Sequence, residues 1–164
     1  MPDHTKYTLR RVEVSDIPDF ITLRGHMFTE VGFEDISDVN VASLAYFERT
    51  IPTGEFVGFI AVTADNTVVG SAGLACYAIP PKPIEPAGRF GYISSMYVLS
   101  EHRRQGLAGG LLDEIITTAH EMNLTWVTLH ASEMGRPIYV RIGFSAWKEM
   151  GLHIPSAIAD RTTE

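Results

Sequence analysis

The chain has 164 residues, 45% of them hydrophobic, and a formal net charge of -7 from 13 basic and 20 acidic side chains. That length suits one continuous core, so residues 1–164 are expected to form a single domain. An acidic chain argues against general nucleic-acid binding, whose affinity rests on neutralising phosphates with many basic side chains.

Apolar segments such as Val57 to Val62 and Leu111 to Ile116 fall far short of a membrane-spanning helix, and no membrane partner is expected. The polar start from Met1 to Tyr7 lacks the apolar stretch of a secretory signal, which makes the cytoplasm the expected location. Cys76 stands alone, excluding an internal disulfide, and reads as a small hydrophobe within a strand. The six histidines are scattered without metal-ligand spacing, so no metal is expected.

In chain order, Thr8 to Val12 alternates as a strand. Ser15-Asp16 followed by Pro18 starts a helix from about Ile17 to Val31, which Gly32 stops. A shorter helix is expected near Val39 to Arg49. Phe56 to Ala64 and Thr67 to Tyr77 flank the turn-like Asp65-Asn66 and read as an antiparallel hairpin. Ala78 to Gly88 carries four prolines and reads as an extended loop before a strand at Tyr92 to Val98. Gln105 to Met122 has a wide apolar helical face, and Trp126 to His130 returns to strand. Pro137 and Gly143 bracket a short helix, and Phe144 to Met150 is expected to be a final strand. This order describes an α/β fold, a mixed sheet with helices on its faces.

The strongest chemical signal runs from Val98 to Gly110, where a strand passes through His102-Arg103-Arg104 into a helix rich in small residues. The first N–H groups of a helix lack intrahelical partners and point along the axis, where the macrodipole also favours an anion. Gly106 lets the backbone approach a phosphate closely, and Ala108, Gly109 and Gly110 keep the next turn narrow. The dipole alone contributes only about 0.3–1 kcal/mol, so several N–H bonds must act together with Arg103 and Arg104. Neither a P-loop nor a dinucleotide glycine pattern is present.

Arg103-x-x-Gly106-x-Ala108 is similar to the Arg/Gln-x-x-Gly-x-Gly/Ala signature of the GNAT superfamily of acyl-CoA N-acyltransferases, and the element order resembles that family over nearly the whole chain. The resemblance implies a mainly antiparallel central sheet and acetyl-CoA as cosubstrate. It also implies that the backbone amides of Arg104, Gln105, Gly106, Leu107, Ala108 and Gly109 bind the CoA pyrophosphate beside Arg103. The strand end at Met96, Tyr97 and Val98 is then expected to offer main-chain hydrogen bonds to pantetheine and the acyl carbonyl.

The block from Leu129 to Phe144 resembles the family's later motif, a strand end leading to a short helix with a tyrosine and then Gly143-Phe144. By that resemblance Tyr139 protonates the departing thiolate, and Ser132 takes a place where relatives often put a cofactor-contacting asparagine. On spacing alone, Tyr139 is equally a core aromatic. The base is not legible: His130 is of a type suited to proton transfer, Glu30 and Glu34 lie near the end of the first helix where an acceptor pocket could be, and Tyr92, Ser94 and Ser95 are candidates for the acceptor side. The function expected is transfer of an acetyl group to a primary amine of a small molecule or peptide, with a homodimer admitted by the resemblance. The alternative is a non-catalytic acyl-CoA-binding regulatory module.

Overall fold

The computed structural model describes residues 6–154. The chain divides after Ala131 into a larger compact unit carrying the sheet and a smaller one beginning at Ser132. In the larger unit, β1 (Tyr7–Arg11) leads to α1 (Ile17–Glu30) and α2 (Ser37–Thr53). There follow β2 (Phe56–Thr63), β3 (Val68–Ala78), β4 (Arg89–Val98), α3 (Leu107–Glu121) and β5 (Val127–Leu129). The strands lie in the order β1-β2-β3-β4-β5, antiparallel throughout except for the parallel pair β4-β5. The smaller unit carries α4 (Arg136–Ile142). Among the described residues no helix is long and apolar enough to cross a membrane.

Strand β2 is buried along almost its whole length because helices cover both faces of the sheet. Phe56 and Ile60 join Val12, Ile17, Phe20 and Phe47 in a cluster beneath α1 and α2. Phe47 lies 4.8 Å from Phe56 and 5.2 Å from Phe20, ring centre to ring centre. Gly73 makes room for this packing, since a Cβ there would fall 2.2 Å from the Phe56 ring. On the opposite face Leu111 of α3 reaches Gly70 beside Ala61 and Val98. Together with Leu107, Leu112 and Ile115 it forms a fully buried helical stripe.

Two elements differ from the sequence reading. Helix α2 is longer than Val39 to Arg49, because the Asp35 carboxylate accepts from the backbone N–H and hydroxyl of Ser37 at its start, and Gly54, with φ of +77°, ends it. Phe144 to Met150 is not a strand. Trp147 and Met150 are 61% and 94% exposed, so the segment lacks the buried face that would repay ordering it as a strand.

The entry to α1 is held by Asp16, which is buried, takes both Arg10 guanidinium nitrogens at 2.7 Å and accepts the Glu13 N–H at 2.8 Å. The hydrogen bonds from Arg10 hold its carboxyl below the usual aspartate range. A carboxyl whose folded pKa is lowered stabilises the fold above its unfolded pKa of about 3.9, and that contribution disappears as pH falls through the folded value. Asp16→Asn is therefore expected to cost about 1–2 kcal/mol near neutrality, as loss of a helix-start bond does. In urea unfolding, its difference from the parent chain should shrink below about pH 4.

Candidate active site

The site begins with an irregularity in β4. Ser71 of β3 lies opposite Tyr97 and Gly73 opposite Ser94, so Ala72 faces both Ser95 and Met96. Ser95 absorbs the extra residue with φ of +58°, a left-handed conformation that side-chain-bearing residues rarely adopt. Two hydrogen bonds hold it there: the Ser71 hydroxyl donates to the Ser95 carbonyl at 2.8 Å, and Arg24 of α1 donates to the Ser95 hydroxyl oxygen. The parallel ladder with β5 stops directly before this bulge, at Ile93 opposite Leu129. Ser94 to Val98, including the expected pantetheine residues Met96, Tyr97 and Val98, therefore run on without a strand partner on that edge among the described residues.

The free edge leads straight into the basic turn. Arg104 takes φ of +59° and Gly106 φ of +80°, and α3 begins at Leu107. Among the described residues no side chain caps this helix start and no acidic residue occupies its first turn, which leaves its leading N–H positions open to another acceptor. Leu107 anchors the turn in the core at 1% exposure. Gly109 faces open space, with nothing within 4 Å of where a Cβ would stand. The side chain of Gln105 accepts from Tyr7 at 3.0 Å and Lys6 at 3.1 Å, and the Tyr7 hydroxyl also meets His102 Nδ1 at 2.8 Å, which ties the turn to β1. The Gln105 side-chain oxygen is thus engaged within the protein.

The arginines are divided between two tasks. Arg103 donates through Nε to the Val98 carbonyl at 2.8 Å and through one terminal nitrogen to both Glu30 oxygens at 2.8 Å, while its guanidinium lies over the Tyr97 ring. It clamps strand end, turn and α1 together, and the same ion pair occupies Glu30. Arg104 is exposed, and no side-chain partner holds it among the described residues. The flanking positive charge expected from two arginines thus falls mainly to Arg104.

Near the end of β5, the Tyr92 hydroxyl meets His130 Nδ1 at 2.7 Å, and burial raises the Tyr92 pKa. Cys76 is half-buried with its thiol pKa raised by burial, which suits packing and not nucleophilic attack. Arg24 escaped the sequence reading although its signal was present, a cation four residues from both Phe20 and Phe28 on the apolar face of α1. Its guanidinium lies 5.1 Å from the Phe28 ring and 5.4 Å from that of Phe47.

In the smaller unit, Pro137 occupies the first turn of α4 and Gly143, with φ of +114°, ends it. Ser132 Oγ accepts the Gly135 N–H at 3.1 Å and its carbonyl accepts Arg136 N–H at 2.9 Å, so Ser132 organises the helix entry. Tyr139 is buried, with its ring edge-on to Phe144 at 5.9 Å, and its carbonyl accepts the N–H groups of Gly143 and Phe144.

The sequence model of the acetyltransferase (GNAT) domain family matches residues 28–151. The fold is similar to that of a predicted acetyltransferase from Clostridium acetobutylicum crystallised with acetyl-CoA, at 30% identity and a TM-score of 0.81, covering 88% of this chain and 96% of that one. A GCN5-related N-acetyltransferase from Ralstonia eutropha superposes with a TM-score of 0.82 at 26% identity, covering 90% and 98% of the two chains. Glucosamine-6-phosphate N-acetyltransferase from Arabidopsis thaliana shares the fold at 19% identity and a TM-score of 0.71, covering 91% and 99%. No curated protein matches the sequence. With more than half its length matched by the family, the chain belongs to the GNAT acetyltransferases and is a transferase.

Proposed function

We propose that this acetyltransferase moves the acetyl group of acetyl-CoA onto a primary amine of a small molecule or peptide by direct attack. The observation that carries the reading is the unpaired edge of β4 running from Ser94 into an uncapped helix start. An extended pantetheine arm can add to a free strand edge as a further strand does, and a diphosphate suits amides that no protein group satisfies. Backbone N–H groups of Arg104 to Gly109 hold the pyrophosphate, and Arg104 supplies the flanking charge. Arg103 contributes by fixing the turn through Glu30 and Val98. The relative from Clostridium acetobutylicum was crystallised with the same cosubstrate.

The chemistry asks little more of the protein, because a thioester is already activated. The neutral amine forms a C–N bond to the carbonyl carbon as the C=O π pair moves onto oxygen. The oxyanion then re-forms the carbonyl, the C–S bond breaks as the thiolate leaves, and the nitrogen gives its surplus proton to water. Main-chain N–H groups near Val98 stabilise the oxyanion, a contribution of several kcal/mol when donors are preorganised, about 3 kcal/mol for one donor elsewhere. Tyr139 donates its phenolic proton to the thiolate, a general-acid role to which a tyrosine hydroxyl is suited. Ser132 supports this through the entry of α4.

Free-thiol release from acetyl-CoA, measured against amino acids, polyamines, aminoglycosides and peptides, tests transfer. Amine-dependent release is expected, whereas acetyl-CoA binding without release across the panel would leave a regulatory acyl-CoA-binding module. Tyr139→Phe should lower turnover about 10- to 100-fold, in the range typical of acid catalysis, while acetyl-CoA still raises the melting temperature. Gly109→Leu adds a good helix former into open space, so the fold should lose no stability. Its bulk nevertheless stands beside the proposed diphosphate, and the melting shift given by acetyl-CoA should fall sharply.

A further inference from the structure

Arg10, Arg49 and Arg103 are each paired with a carboxylate, Asp16, Glu55 and Glu30 respectively. Arg24 has no carboxylate partner among the described residues, although its surroundings are more desolvating: the Phe28 and Phe47 rings lie beside it, and burial dominates its pKa, pulling it downward. Guanidinium keeps its charge in proteins, so Arg24 cannot escape this environment by losing a proton. The aromatic rings offer the cation their π faces but no hydrogen-bond acceptor for its N–H groups. One of those N–H groups reaches Ser95 Oγ, and Nε is buried without any acceptor among the described residues. The group that a guanidinium matches best is a planar oxyanion, which its terminal N–H groups can meet in pairs.

The place of this cation defines its use. Its one hydrogen-bond partner among the described residues is Ser95, the bulged residue beside which β4 loses its strand neighbour. Glu30, the acidic side chain at the end of the same helix, is held by Arg103 and does not neutralise it. We infer that Arg24 receives a carboxylate of the acceptor, so that the amine acetylated belongs to an amino acid or a similarly short amino-carboxylate. The inference rests on the transfer reading for where the amine reacts. A carboxylate anchored at Arg24 sets a nearby amino group beside the bulge, where that reading places the acyl carbonyl.

The test compares the common amino acids with their carboxamides, in two readouts on the full chain. Thiol release from acetyl-CoA should favour the best acid over its amide by about 10- to 100-fold in kcat/KM, the range that one charge-assisted hydrogen-bond pair gives. Separately, with CoA present and no acetyl donor, the acid should raise the melting temperature and the amide should not. Arg24→Gln should abolish both preferences, and Arg24→Lys, which keeps the charge and loses the fork, should retain a part. The comparison of acid and amide on the unmodified chain decides the matter even if a variant folds poorly. Equal treatment of acids and amides, or turnover confined to polyamines, aminoglycosides or phosphorylated amino sugars, overturns the assignment and leaves acetyl transfer standing. Arg24-dependent binding of the acid without thiol release leaves the carboxylate site standing and removes the transfer reading.

Discussion

The arrangement of the site follows from one extra residue in β4. Ser95 takes a left-handed conformation that costs of order 1–3 kcal/mol, and such strain persists only where the surroundings over-determine it. Here they do: the Ser71 hydroxyl holds the Ser95 carbonyl from the neighbouring strand, and Arg24 holds its hydroxyl from α1. The bulge breaks the regular ladder with β3, and pairing with β5 ceases at the same level, so the last stretch of β4 keeps an open edge. A straight strand fully paired on both sides would have no backbone donors or acceptors left for a ligand.

Electrostatics reinforce this backbone design in an acidic protein. Arg103 is held by Glu30 and the Val98 carbonyl, an ion pair that fixes where the turn leaves the strand. Under the proposed function, anion recognition at the start of α3 falls to main-chain N–H groups and Arg104, in keeping with a first turn that has no side-chain cap or acidic residue among the described residues. Gly106 with φ of +80° directs the chain into the helix, and the buried Leu107, Leu111, Leu112 and Ile115 hold that helix against the sheet. Burial of the apolar stripe thus orients the polar terminus.

Much of the fold was legible because local chemistry and long-range packing agree there. Pro18 and Gly32 bound α1, Asp65-Asn66 closes the β2-β3 hairpin, and the apolar stripe from Leu107 to Ala119 became the buried face of α3. The basic turn and its glycines were legible for the same reason, as a strand, a turn and a helix contiguous in sequence. Phe144 to Met150 misled, because its apolar residues suggest a strand whose buried face the fold does not supply. Arg103 read as a free cation since Glu30 is 73 residues away along the chain. The bulge left only the polar pair Ser94-Ser95 as a trace in an otherwise apolar strand.

The amino-acid order by itself determined most of the elements up to β5, the glycine-rich helix start after a basic turn and the family likeness, because each depends on neighbours within a few residues. Tertiary structure decided which arginine is neutralised, where β4 parts from β5, and that Arg24 stands without a carboxylate beside Ser95. These outcomes depend on pairings between α1, β3, β4 and β5. Coulombic and hydrogen-bonding partners are chosen by distance in space, which local sequence patterns do not encode.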